Sequence, residues 1–423
     1  MKKFSVDLIE DNFFHDFTYD SYNRKEYIFK KKTGILKRKY NESWLSSSFE
    51  LNSINDAKVY ISKDFKSSSF KNFKTNNIEF SPGKVLRDNE FILNFLRSLD
   101  LKEWKIVFRV KALNRLIINN KNKGLRNGFT HYSIIIKLKL NNCRNYIEIG
   151  EGSTGSFKFN QTGLSLRIKD VINNHKNKKK NDFKDRIPVI LNSGDGGIIF
   201  HEILGHSLEA DYIYQKLSPI SIYDVGHQII SKNVNLVADY EGDMFFSNRM
   251  CDDEGVSSKS SMLVENGILR NFISDIYYKN LLNIKNSGYS RVEDFSKVPM
   301  PRMFAIYLKP GPYNAQELIE STKYGIYAKE FGEGKTYFNK NSFFFNIKEA
   351  YLIENGKLTS PLGDVIVKGN IMETLNSVDM VADDFRHDKG ISYCFKNGQT
   401  LNVRVGQPTV KINNLFVKSG LND

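Results

Sequence analysis

Residues 201–211 read His201-Glu202-Ile203-Leu204-Gly205-His206-Ser207-Leu208-Glu209-Ala210-Asp211. Two imidazoles with a carboxylate between them supply the donors and the base of a helical zinc hydrolase site, where ligands four apart share one face and a Glu activates water. Here the histidines are five apart. On an ideal α-helix five residues turn through about 500°, which leaves the two rings about 140° apart. That geometry describes two unrelated histidines on a buried helix. A π-bulge turns more slowly and concentrates at functional sites, and Gly205 brings no Cβ to crowd it. Spacing leaves both readings open. It also leaves the third ligand open among Glu209, His227, Cys251 and Cys394, since a lone cysteine is more often a small buried apolar group than a ligand.

Around this run the pattern is α+β. Residues 188–191 read as a short buried strand, Ser193-Gly194-Asp195-Gly196-Gly197 as a breaker with Asp195 a candidate N-cap, and residues 198–211 as helix. Glu265-Asn266-Gly267 and Glu354-Asn355-Gly356 each lie between apolar runs, and Asn-Gly supplies the positive φ angles of tight hairpins. A further Asn397-Gly398 turn follows. Between them, Asn314-Ala315-Gln316-Glu317 has the form of a capping box. Upstream, Ile136, Leu138 and Leu140 alternate with Lys137 and Lys139, and after the turn at Asn141-Asn142 the run 146–149 reads as a return strand. The first hundred residues are polar and weakly periodic. The Lys/Asn-rich stretch 173–185 reads as a linker. The expected organisation is a mixed α/β N-terminal region, 1–186, followed by a strand-rich C-terminal domain, 187–423, built around the helix that carries the two histidines.

The 423 residues, 40% apolar with 31 Phe and 21 Tyr, exclude general disorder. No run approaches the roughly 18 uninterrupted apolar residues of a membrane helix, and Asp7, Glu10 and Asp11 interrupt any apolar signal core. Three scattered cysteines (Cys143, Cys251, Cys394) point to a reducing, cytoplasmic setting rather than a disulfide framework. The net charge of +14 attracts anionic partners in general. Lysine is spread along the chain, however, and the densest cluster, 175–180, falls in the expected linker, so charge alone does not make a nucleic-acid site.

Further blocks now matter: Asp252-Asp253-Glu254-Gly255, Glu265-Asn266-Gly267, Pro299-Met300-Pro301-Arg302-Met303, Gly325-Ile326-Tyr327, Glu349-Ala350-Tyr351-Leu352-Ile353-Glu354-Asn355-Gly356, and Cys394 with Lys396, Gly398-Gln399 and Gly406-Gln407-Pro408-Thr409. In this order, with the HExxxH run, they resemble the TldD/PmbA family of metallopeptidases from about residue 187 to the C-terminus. The TldD-like branch keeps HExxxH, as this chain does. The resemblance implies His201, His206 and Cys394 as ligands of one divalent metal, Zn²⁺ by donor type, with Glu202 as general base. Glu209, Asp253 and Glu254 are candidates to orient the ligating histidines, and Arg302 is a candidate to bind a peptide carboxylate or oxyanion. His15, His131, His175 and His387 carry no pattern.

The resemblance further implies hydrolysis of small or unfolded peptides in a dimer-enclosed channel, with a PmbA-like paralogue lacking HExxxH as heterodimer partner, or a second copy. A non-catalytic regulatory subunit and a nucleic-acid-associated modulator are the alternatives. The chain departs from the family pattern in several places. Its first hundred residues lack the family's Gly-rich strands, which help wall the channel and the dimer contact. Glu333 and Phe395 stand where Gly is usual, and Asn402 and Arg404 replace the usual Pro and Gly.

Overall fold

A computed structural model describes residues 4–40, 44–50, 81–119, 124–141, 146–179, 182–239, 251–257, 259–285 and 287–420. The N-terminal part is an antiparallel six-stranded sheet in the order Trp44–Glu50, Lys25–Tyr40, Phe4–Asp20, Glu103–Asn119, Gly124–Lys139, Ile147–Ser153. Its register pairs Phe17 with Phe108 and Phe108 with Ile134, so Ile106, Phe108, Ile134, Ile136 and Leu138 share a face. That face is buried with Ile92, Leu96, Leu164 and Ile168 of the helices Glu90–Arg97 and Gln161–Asn177. The opposite face is mixed, with Leu113 and Ile117 buried among polar groups that include Asn127. Glu10, Arg109, Arg115, Ser133 and His131 point the other way, and several of them bond to the C-terminal half: Arg115 to Asp253, Asn127 to the Cys251 carbonyl, His131 to the Gly390 carbonyl.

Two long strands and a seven-residue one therefore occupy the first hundred residues, where the sequence showed little periodicity. On Phe4–Asp20 the second face carries Glu10 and Asp16, which are buried or half-buried, and residues 25–32 of the next strand are exposed on both faces, so neither shows a clean apolar-in, polar-out alternation. The expected linker is also corrected. The helix Gln161–Asn177 runs through its first half, capped by Asn160, and the strand Lys184–Leu191 begins in its second. The expected strand and return strand are present as Gly124–Lys139 and Ile147–Ser153.

Beyond residue 183, five strands close on themselves. Lys184–Leu191 pairs in parallel with Tyr324–Tyr337 and antiparallel with Val410–Ser419; Val365–Asn370 joins the latter to Ser342–Glu354, which returns to Tyr324–Tyr337. A second six-stranded sheet runs Ile268–Leu269, Ser261–Glu265, Leu236–Asp239, Ala305–Leu308, Arg404–Gln407, Arg386–His387. One apolar core fills the space between them, with Val189, Ile326, Phe345, Val365 and Ile412 from the barrel and Phe200, Ile203 and Leu204 from the histidine segment. The fold is α+β and strand-rich, as expected. Among the described residues no helix is long and apolar enough to cross a membrane.

All three Asn-Gly turns form hairpins, with φ of 50° and 76° at Asn266-Gly267, 49° and 75° at Asn355-Gly356, and 48° and 72° at Asn397-Gly398. The helix Ala315–Glu320 starts at Asn314 with a complete capping box.

Candidate metal centre

The expected single helix over 198–211 is broken, and the break makes the site. A short α-helix, Gly197–Phe200, passes into a π-helical turn, His201–Gly205, then a 3₁₀ turn, His206–Leu208; Glu209 is extended before Ala210–Tyr214 resumes the helix. The His206 backbone N–H donates to the His201 carbonyl. That i→i+5 bond stacks residues five apart on one face, where an α-helix separates them. The ring centroids lie 4.9 Å apart, close to perpendicular at 80°. Asp195 is not the N-cap: Gly196 occupies that position, and Asp195 pairs with Lys389 at 2.9 Å.

Two glycines seat this segment against the second sheet. A Cβ on Gly197 would come within 2.9 Å of the Gly406 backbone, and one on Gly205 within 2.5 Å of the Met303 Sδ. The backbone thus packs closely on the strand Arg404–Gln407 before the π turn and on Met303 and Ile306 at its end.

Cys394 arrives from the hairpin strand Tyr393–Lys396. Its Sγ lies 3.1 Å from His206 Nε2, and one donor atom from each of His201, His206 and Cys394 falls within 4.8 Å of the other two. His201, His206 and Cys394 are 0%, 4% and 2% exposed. Glu202 places Oε1 4.0 Å from Nε2 of both histidines while its side chain stays a quarter exposed. Of the other ligand candidates, His227 is exposed and Cys251 is buried against Asn127; the remaining cysteine, Cys143, lies outside the described residues.

A buried imidazole without a partner is costly, and neither ring nitrogen of His201 has a hydrogen-bond partner among the described residues. Two imidazoles and a thiolate suit Zn²⁺ and leave a fourth position free. The residues present therefore fit a metal. Burial works to raise the Cys394 thiol, but His206, His201 and Arg302 outweigh it and hold its pKa well below the usual thiol range. Burial also pushes the Glu202 carboxyl up, against the pull of the two imidazoles.

Glu209 Oε2 accepts from His206 Nδ1 at 2.7 Å, which orients the ring so that Nε2 faces Cys394. Although burial opposes ionisation, His206 and Lys396 hold the Glu209 pKa at about 2. Lys396 belongs to the sequence block around Cys394 but was assigned no role there. Its Nζ is 2.7 Å from Glu209 and 2.7 Å from Asp211, with the side chain 1% exposed. The signal was there: on a strand, residue 396 shares a face with residue 394, and a buried lysine needs carboxylates.

The bonds described for Asp253 and Glu254 run to other elements. Asp253 accepts from Arg115 at 2.6 Å and from the Val292 N–H, and Glu254 accepts from the Ile276 N–H. Arg302 is fully buried and donates to the Cys394 carbonyl at 2.6 Å, so it holds the ligand's backbone and is closed to a peptide carboxylate arriving from solvent.

Residues 184–419 match the family described as the PmbA/TldA metallopeptidase C-terminal domain. The chain belongs to this family. A "Metalloprotease TldD homolog" of Buchnera aphidicola subsp. Acyrthosiphon pisum is 35% identical over 54% of this chain and 47% of its own length. A "Zinc metalloprotease TldD homolog" of Saccharolobus solfataricus is 34% identical over 54% and 51%. The chain thus spans about half the length of the relatives it matches. The crystal structure of TldE from Thermococcus kodakarensis has the same fold, with a TM-score of 0.75 over 99% of this chain and 97% of that one at 14% identity.

Proposed function

We propose that the chain is a zinc-dependent peptidase that hydrolyses small or unfolded peptides, with His201, His206 and Cys394 as ligands and Glu202 as general base. One observation carries the reading. Three buried donors converge, one of them an imidazole whose ring nitrogens make no hydrogen bond among the described residues, and a partly exposed carboxylate stands 4.0 Å from both rings. When bound, the cation supplies Lewis acidity, polarising the scissile carbonyl and lowering the pKa of water.

The chain's own groups do the rest. Glu202 takes the proton of the attacking water and passes it to the departing amine, and its raised pKa suits both transfers. Glu209 holds the His206 ring so that Nε2, beside Cys394, is the nitrogen offered to a metal. The thiolate donates more charge than an imidazole and moderates the Lewis acidity, which matches slow, unselective cleavage of flexible chains. The assembly is a dimer, with a paralogue lacking HExxxH or with a second copy, in the cytoplasm.

Metal content and peptide hydrolysis, measured together for wild type and Glu202→Ala, test this. The variant is expected to keep its metal and lose hydrolysis by about 10²–10⁴-fold. Unchanged hydrolysis removes Glu202 from the mechanism.

A further inference from the structure

The hairpin that presents Cys394 consists of two four-residue strands, Tyr393–Lys396 and Gln399–Asn402, which pair only with each other among the described strands. An isolated two-stranded hairpin is marginally stable in water. The position of its sulfur is therefore imposed by whatever grips the hairpin from outside. From the site, Arg302 holds the Cys394 carbonyl and Lys396 is held by Glu209 and Asp211. From the other side the grip comes from the N-terminal sheet.

The Gly152 N–H donates to the Lys389 carbonyl at 2.7 Å, and His131 Nε2 lies 2.7 Å from the Gly390 carbonyl. A carbonyl only accepts, so Nε2 carries the proton; burial holds the His131 pKa down at about 4 and the ring neutral. Its Nδ1 then accepts from the Asn402 amide at 3.4 Å, on the other limb of the hairpin. Gly150 and Gly152 leave room for this approach. A Cβ on Gly150 would come 2.6 Å from Ile391, and one on Gly152 would strike the Gly390 carbonyl. Arg404 joins the two limbs by donating to the Asp388 carbonyl and carboxylate, both at 2.7 Å. Asn402 and Arg404, which depart from the family pattern, both belong to this joint.

We infer that the N-terminal sheet positions the third ligand: His131 and Gly152 are positioning residues that set where the Cys394 sulfur stands, acting through the Lys389-Gly390 turn. The inference rests on Cys394 being a metal ligand. It gives the N-terminal region a part in the metal centre that its sequence does not announce.

The test uses the full-length chain with Co²⁺ as probe, and His131→Ala, Gly152→Ala and His131→Gln as variants; glutamine can place its amide N–H near the position of Nε2. Two signals are read. One is the thiolate-to-cobalt charge-transfer band. The other is the rate at which iodoacetamide alkylates Cys394 in metal-free protein, followed by peptide mass spectrometry. Both alanine variants are expected to weaken Co²⁺ binding about tenfold or more, to diminish the band, and to speed Cys394 alkylation by a similar factor. His131→Gln restores both signals. Wild-type band and alkylation rate in both alanine variants overturn the proposal, as does a His131→Gln no better than His131→Ala. A wild type without any band refutes the metal reading itself, while the alkylation rates still report whether the N-terminal sheet holds the hairpin.

Discussion

Replacing Lys396 with methionine keeps the bulk of the side chain and removes one buried charge. The ammonium is 2.7 Å from Glu209, 2.7 Å from Asp211 and 3.3 Å from the Pro301 carbonyl, and its side chain is 1% exposed. At an effective dielectric near 20, each ion pair at that distance is worth roughly 6 kcal/mol of attraction, offset by several kcal/mol of desolvation. Lys396→Met leaves Glu209 and Asp211 as neighbouring buried carboxylates with no cation between them. The expected loss is that of a broken buried pair, about 3–5 kcal/mol at pH 7, or about 6–20 °C in melting temperature for a domain of this size. Urea and thermal unfolding of the metal-free protein measure it. Adding Asp211→Asn removes the surplus negative charge, so the double variant is expected to recover at least half of the loss. A Lys396→Met within about 1 kcal/mol of wild type, or a double variant less stable than the single one, would refute the charge balance described here.

Two other predictions follow from packing and from burial. Gly197→Ala should stabilise a helix by about 1 kcal/mol on propensity alone. Here its Cβ would press within 2.9 Å of the Gly406 backbone, so denaturant unfolding is expected to show a net loss of about 1–3 kcal/mol; a gain would show that the close approach is not required. Glu10 is fully buried, and burial raises its pKa to about 7 despite Arg115. A raised carboxyl contributes stability that is full below its ordinary pKa of 4.5 and lost as pH rises through about 7. Between pH 4.5 and 8 this group therefore removes up to about 3 kcal/mol. Glu10→Gln should flatten that part of the stability profile, and an unchanged slope would count against it.

The legible parts of the fold are those written in local chemistry. Asn-Gly dipeptides fixed three hairpins and Asn314 with Glu317 fixed a helix start, because a positive φ and a capping bond need only neighbouring residues. The histidine pair was ambiguous because ideal helical geometry separates residues five apart. What joins them is a π turn seated on Met303 and Gly406, residues distant in sequence. Cys394 could not be chosen by spacing, since it lies 188 residues from His206, and came through family resemblance alone. Lys396 was quoted in the block around Cys394 but given no role, although strand alternation places it on the same face as Cys394. Asp253, an expected neighbour of the histidines, instead pairs with Arg115 of the N-terminal sheet. The strands of the first hundred residues were hidden for a related reason: Glu10 and Asp16 of the first are drawn out of solvent by Arg115 and Arg109, and residues 25–32 of the second are exposed on both faces, so no alternation of hydropathy marks them.

Zinc titration by calorimetry, on wild type, His201→Ala, Cys394→Ser and Cys251→Ser, bears most directly on the convergence of two imidazoles and one thiolate. One zinc per chain is expected for wild type and Cys251→Ser, with affinity weaker by about 100-fold or more in His201→Ala and Cys394→Ser. Absence of stoichiometric zinc in wild type, or wild-type affinity in Cys394→Ser, would contradict it.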